Sequence, residues 1–142
     1  MANRVALYPY IRKNVSRDAR SFLILGTLLG ACSVAIGAFG AHGLHDYLEA
    51  AGRIETFKTA VTYLWYHCFA ILLVGVISLF KDSKLLRIAG FLFILGVLLF
   101  SGSLFTLIYT NNPMLGAVTP FGGLMFIAGW IVLAIGVTRL KR

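Results

Sequence analysis

A chain of 142 residues, 59% of them hydrophobic and only 13% charged, with a mean hydropathy of +0.87, is too apolar for a soluble domain, which carries roughly 25% charged residues. Lipid is the expected solvent, and the length allows one domain. The net charge of +8 does not mark a nucleic-acid binder, because the basic residues lie in short segments between apolar runs rather than on one soluble face.

Residues 1–20 read as a basic cytoplasmic tail with Arg4, Arg12, Lys13, Arg17 and Arg20, and residues 21–142 as the membrane domain. Tyr8, Pro9 and Tyr10 suit contact with the headgroup layer, and a disordered tail suits them equally. Four stretches then reach the roughly 20 apolar residues that cross a bilayer. They run from about Phe22 to Ala41, Thr59 to Phe80, Ile88 to Tyr109 and Thr119 to Thr138. None carries Asp, Glu, Lys or Arg in its interior, and lipid-facing backbone must satisfy its own hydrogen bonds, so all four are predicted helices. Barrel strands would be shorter and would alternate polar with apolar residues. Leu29-Gly30-Ala31-Cys32 has the look of a bacterial lipobox. A signal's apolar region stops near its cleavage site, whereas this one runs on to Phe39, so the four residues read as part of a small-residue helix face. Cys32 and Cys68 sit inside apolar runs and form neither a disulfide framework nor a zinc knuckle. No cofactor is expected.

Between the first two spans, Leu44, Tyr47, Leu48, Ala51, Ile54 and Phe57 recur every three or four residues. That spacing predicts an amphipathic interfacial helix over about 44–58, with Glu49 and Arg53 as an i,i+4 pair and Gly52 as a bend. The predicted fold is an all-α membrane protein, a four-transmembrane-helix bundle with that interfacial helix between helices 1 and 2. All but two of the 13 Lys and Arg residues lie in the tail, in the loop with Lys81, Lys84 and Arg87, or in the last four positions. Only Arg53 and Lys58 lie elsewhere. The positive-inside rule then puts both termini in the cytoplasm of a bacterial inner membrane.

Helices in lipid associate through close contact of small residues. Span one carries Gly26, Gly30, Ser33, Gly37 and Gly40 in one seam. Span three carries Ala89, Phe93, Gly96, Phe100 and Ser103, and span four Gly122, Phe126, Gly129, Leu133 and Gly136. These two stripes alternate small and large, so the small positions of one could receive the large positions of the other. A plain abundance of glycine in membrane helices would not give three matching phases.

With that topology the polar groups gather in the outer leaflet. His42, Tyr63, His67, Ser101, Ser103, Thr106 and Thr119 form a candidate cluster, and an intramembrane ionisable residue is a candidate functional site by default. The plainer reading is that His67 hydrogen-bonds Ser101 or Ser103 across helices. Trp65, Tyr66 and Tyr109 read as an aromatic belt, and Trp130, too deep for one, as packing. His42, His45, Asp46 and Glu49 have ligand spacing if the helix continues, but Gly43 interrupts it, and no metal is assigned. A serine with His67 lacks an orienting carboxylate, so no catalytic residue is assigned.

Four ordered blocks carry a family resemblance. They are Gly37-Ala38-Phe39-Gly40-Ala41-His42-Gly43-Leu44, then Phe57-Lys58-Thr59-Ala60 with Tyr63 and His67, then Leu99-Phe100-Ser101-Gly102-Ser103-Leu104-Phe105, then Val118-Thr119-Pro120-Phe121-Gly122-Gly123 with Phe126, Gly129 and Trp130. Over about residues 22–142 the chain resembles the small membrane proteins of domain-of-unknown-function family 423, which includes eukaryotic transmembrane protein 256. Phe105 stands where that pattern has Tyr, and the tail is longer than in short members. The resemblance implies a multi-pass bacterial membrane protein and supplies no catalytic residues. The expected role is non-enzymatic binding of a protein or lipid partner, through the glycine seams and the outer helix. The alternatives are a small oligomeric transport or channel protein, and a membrane enzyme or metal binder using His42 and His67.

Overall fold

Every long apolar run becomes a helix, and the ends are set by local capping chemistry. The computed structural model describes residues 15–81 and 83–139. Helix α1 runs Arg17–His42, opened by Ser16, whose hydroxyl accepts from the Ala19 N–H at 3.1 Å, with Asp18 at the positive end of the dipole. It begins inside the stretch read as tail. Arg4, Tyr8, Pro9, Tyr10, Arg12, Lys13, Lys141 and Arg142 lie outside the described residues.

The predicted interfacial helix over about 44–58 is divided. Helix α2 covers only His45–Ala50, and the next, α3, runs Ile54–Phe80. Gly52, at φ 64°, ends α2, with the Gly52 N–H bonded to Glu49 O and the Arg53 N–H to Leu48 O. This paired closure suits glycine, which has no Cβ to clash in the left-handed region. Periodicity crosses the break because Leu48 of α2 and Phe57 of α3 bury on one patch with Ile108. Arg53 therefore lies beyond α2, and its guanidinium reaches Asn111 rather than Glu49.

The third span is one rod of three parts: α4 (Lys84–Val97), a π-helical turn (Leu98–Gly102) and α5 (Ser103–Thr110). After a 3-10 turn at Pro113–Ala117, α6 covers Thr119–Thr138. Four rods of 26 or 27 residues have the length and hydropathy to cross a membrane, since about 20 residues suffice.

Neighbours in sequence are neighbours in space. Helix α1 packs along α3, α4 along α6, and α3 joins the two pairs through α4 and the π turn. Small residues set these contacts. A Cβ on Gly26 would meet the Cys68 carbonyl oxygen at 3.1 Å, and Gly30 and Gly37 face Cys68 and Val61 at 3.7 and 3.5 Å. Gly40 lies against the Phe57 ring. Between α4 and α6, Gly96 receives Phe126, Gly122 receives the Phe100 backbone, Gly129 receives Phe93, and Gly136 lies against Leu85 and Leu86. Phe22, Ile71, Val74, Leu86, Phe93 and Phe126 form the centre of the core.

The two ends of the bundle differ. At the end where α1 begins and α6 finishes, α1 is fastened to α4: the Phe22 ring sits on Gly90, and Asp18 pairs with Arg87. At the opposite end α2 bridges the spans. The Tyr47 hydroxyl donates to Ile108 O at 3.1 Å, and Arg53 Nη2 donates to Asn111 Oδ1 at 2.9 Å.

Candidate functional site

A hydroxyl in a membrane helix bonds either a carbonyl of its own helix or a neighbour. Ser101 lies in the π turn, is 1% exposed, and donates to Ala60 O of α3 at 2.8 Å. Ser103 reaches Phe100 O at 3.0 Å and shares a 2.8 Å hydrogen bond with Thr119 Oγ1 of α6. Thr106 donates to Gly102 O in its own helix at 2.8 Å.

His67 does not join these groups. Its Nδ1 lies 2.8 Å from Tyr63 O, one turn back on α3. A carbonyl only accepts, so the bond places the proton on Nδ1 and leaves Nε2 as the acceptor. The ring stacks on Phe126 with centroids 3.3 Å apart and planes 7° apart. Tyr63, Phe93 and Trp130 surround it at 6.0, 5.9 and 6.4 Å. Tyr63 in turn stacks on Phe100 at 4.3 Å. The expected His67–Ser101 or His67–Ser103 hydrogen bond is thus absent, for a reason of stagger. Ser101 sits level with Ala60, and His67 lies seven residues further along α3, about two turns. The seven candidate residues fall into three parts: a serine–threonine pair beside a serine–carbonyl bond, an aromatic nest around His67, and isolated Thr106 and His42.

His42 ends α1 and is exposed, and the chain leaves the helix at Gly43 before α2 begins. The spacing of His42, His45, Asp46 and Glu49 therefore does not become one helix face. His45 lies 3.6 Å from Asp46, both exposed. Among the described residues no three His, Cys, Asp or Glu side chains come together as a metal site.

Two features escape the residue pattern. One is the π turn, whose only trace in sequence is the small run Ser101-Gly102-Ser103. The other is a pair of grooves flanking α2. The larger, about 690 Å³, lies between α1 and α5 beneath α2, with Ile36, Phe39, Leu44, Leu48, Phe105 and Ile108 on its walls. The smaller, about 500 Å³, lies between α1 and α3, with Gly37, Gly40, Val61 and, at its polar edge, His45 and Lys58. Lys58 is paired with Glu55 at 2.7 Å. Arg53 has no acid within ion-pair distance among the described residues, and its buried Nε has no hydrogen-bond partner.

These features define a small all-α membrane protein with four helices of spanning length. Residues 36–123 match the family described as "Protein of unknown function (DUF423)", and the chain belongs to that family. It is 47% identical over 114 residues to the UPF0382 membrane protein SH2409 of Staphylococcus haemolyticus, covering 80% of this chain and 92% of that one. It is 39% identical over 120 residues to a UPF0382 membrane protein of Haemophilus influenzae, covering 84% and 95%. The UPF0382 membrane protein YwdK of Bacillus subtilis is 37% identical over 123 residues, covering 83% and 96%. No solved structure matches at a significant level.

Proposed function

We propose that this protein is a non-enzymatic component of the bacterial inner membrane, with both termini in the cytoplasm, that works by binding a partner at the end carrying α2. The orientation rests on charge. Arg17, Arg20, Lys81, Lys84, Arg87 and Arg139 cluster at the end that holds the termini, and the loop joining α5 to α6 carries no charge, the pattern of a cytoplasmic and an outer face.

One observation carries the reading. The groups that could do chemistry, and the glycines that could receive a partner helix, are engaged within the chain, whereas the α2 end keeps open apolar grooves. Ser101 and Ser103 bond Ala60 O and Thr119, so neither faces His67 as a nucleophile would. Gly26, Gly40, Gly96, Gly122 and Gly129 are filled by Leu72, Phe57, Phe126, Phe100 and Phe93. This moves the partner surface off the glycine seams and onto α2 and its grooves. A transport role has less support, since the centre of the bundle is packed with apolar side chains and, among the described residues, no broken, charged helix marks a midplane site.

Purification in mild detergent followed by mass spectrometry of what is retained tests the reading. Wild type is expected to keep a partner that Ala35→Trp, which fills the larger groove, releases. A ligand-free wild-type monomer would overturn it.

A further inference from the structure

We infer that the groove between α1 and α5 holds one acyl chain of a phospholipid whose phosphate is held by Arg53; this rests on the binding role proposed for the α2 end.

The walls of the groove are apolar, with Ala35, Ile36 and Phe39 on one side and Phe105 and Ile108 on the other. Its volume of about 690 Å³ is continuous with the lipid-facing surface, because the rim residues Phe39 and Tyr109 are exposed. A gap of this kind between two spans has no water available to fill it, and the bilayer supplies chains of matching chemistry. Helix α2 crosses the polar end of the groove as a strap, fastened by Tyr47 to Ile108 O. Arg53 stands at the same place. Its backbone N–H bonds Leu48 O, and its guanidinium bonds Asn111, three residues beyond Ile108, so it is tied to the strap and to the end of α5.

Arg53 also has the charge for a headgroup. One of its five N–H donors is used by Asn111. Glu55 is engaged by Lys58, and no carboxylate neutralises Arg53 among the described residues. Arg53 lies just beyond the groove lining, bonded to Leu48, which lines it, and to Asn111, two residues past Tyr109, which also lines it. An uncompensated guanidinium so close to an acyl-sized groove fits a phosphodiester, which offers the oxygens that Arg recognises in forked geometry. The occupant is therefore an amphiphile with a phosphate, rather than a neutral lipid or an apolar peptide.

Native mass spectrometry of the full chain, titrated separately with dioleoylphosphatidylglycerol and dioleoylglycerol, tests this. Arg53→Gln should weaken retention of the phospholipid roughly tenfold, as loss of a charged hydrogen bond predicts, and leave the diglyceride unchanged. Ala35→Trp should abolish retention of both, whereas Val34→Trp, at an exposed position of α1 that lines neither groove, should alter neither. Wild-type retention of phosphatidylglycerol by Arg53→Gln or by Ala35→Trp overturns the inference. Should either variant fold poorly, the wild type decides: a phosphatidylglycerol carrying an acyl-chain diazirine should label residues 35–39 and 105–109 well above residues 127–131. Even labelling of all three stretches overturns it. If Ala35→Trp instead releases a protein while phospholipid retention stays constant, the inference fails and the binding role of the α2 end stands. If wild type retains nothing, both fail.

Discussion

Gly129→Leu tests one of the close contacts between α4 and α6, the one filled by the Phe93 ring. A Cβ at position 129 would lie 2.7 Å from Phe93 Cε1 and 2.8 Å from Cδ1, whereas ordinary contact begins at 3.4 Å. Phe93 cannot yield easily. It is fully buried and packs edge-on against Trp130 at 5.1 Å and near His67 at 5.9 Å. One methyl already forces the helices apart by several tenths of an ångström, and the rest of a leucine must displace the ring. Overpacking of this kind costs about 3 kcal/mol at its upper range, which for a chain of this size lowers the Tm by roughly 10 °C. Thermal unfolding in detergent, followed by circular dichroism, measures it. The pairing itself is tested by adding Phe93→Ala. That change alone leaves a cavity costing about 3–5 kcal/mol, but leucine at 129 can occupy part of it. The double variant should be more stable than the sum of the single losses by about 1.5 kcal/mol. A wild-type Tm for Gly129→Leu, or strict additivity in the double variant, would refute the argument.

His67→Ala should cost about 2–4 kcal/mol, because it empties the space between Phe126 and Phe93. His67→Phe should lose less than about 1.5 kcal/mol, and His45→Ala, on the exposed α2, should melt as wild type; equal tolerance of the two alanine variants would remove any special place for His67. Ser101→Ala loses the 2.8 Å bond to Ala60 O and should cost about 0.6 kcal/mol, the usual worth of an interhelical membrane hydrogen bond; chemical denaturation in mixed micelles checks it. Gly52→Ala should destabilise by about 1–2 kcal/mol through its φ of 64° alone, since nothing lies within 4 Å of its would-be Cβ. Gly52→Asn should recover most of that loss. Glu49→Cys in a Cys32→Ser, Cys68→Ala background should react with an impermeant maleimide in cells with an opened outer envelope and intact inner membrane, while Lys84→Cys should react only after lysis. The reverse pattern would invert the proposed orientation.

The four rods are legible in the sequence because a bilayer demands long uncharged runs, and the runs are there. The small–large alternation of α4 and α6 is legible for a related reason. Without water to drive helices together, residue size alone sets how closely they approach, and size is written in the residue names. The end of α2 is legible only in part. Gly52 signals a bend, yet the apolar spacing persists through it, because Leu48, Ile54 and Phe57 reach one patch from two different helices. What the sequence hides is stagger. Whether a hydroxyl meets a histidine depends on how far one rod slides past another, and no residue pattern records a slide. Ser101 lies level with Ala60 rather than with His67 for that reason. The π turn adds to the concealment, since it changes the direction in which Ser101 and Ser103 point without breaking the apolar run.

The larger groove beside α2 follows from the same size rule acting in the opposite sense. Helix α1 turns its small residues toward α3, so those two approach closely at Gly26, Gly30 and Gly40. Toward the third span, α1 can close only where that span offers a small residue. Near the termini it does: Gly90 admits Phe22, and the Asp18–Arg87 pair fastens the contact. About four to five turns further along, the third span offers Phe105, Ile108 and Tyr109 instead, and a groove stands between them and Ile36 and Phe39. Span three thus closes on α1 at one end and stands off at the other because its facing residues change from glycine to aromatic. Helix α2, tied to Ile108 through Tyr47, and the turn after it, tied to Asn111 through Arg53, bridge the open end without filling it. If residue size alone opens the gap, Phe105→Ala should let α1 approach the third span and narrow the groove, and leave the Phe22–Gly90 contact in place, since the two lie at opposite ends of one stiff rod. An acyl-chain spin label should then become less mobile at the α2 end, with no change at the other.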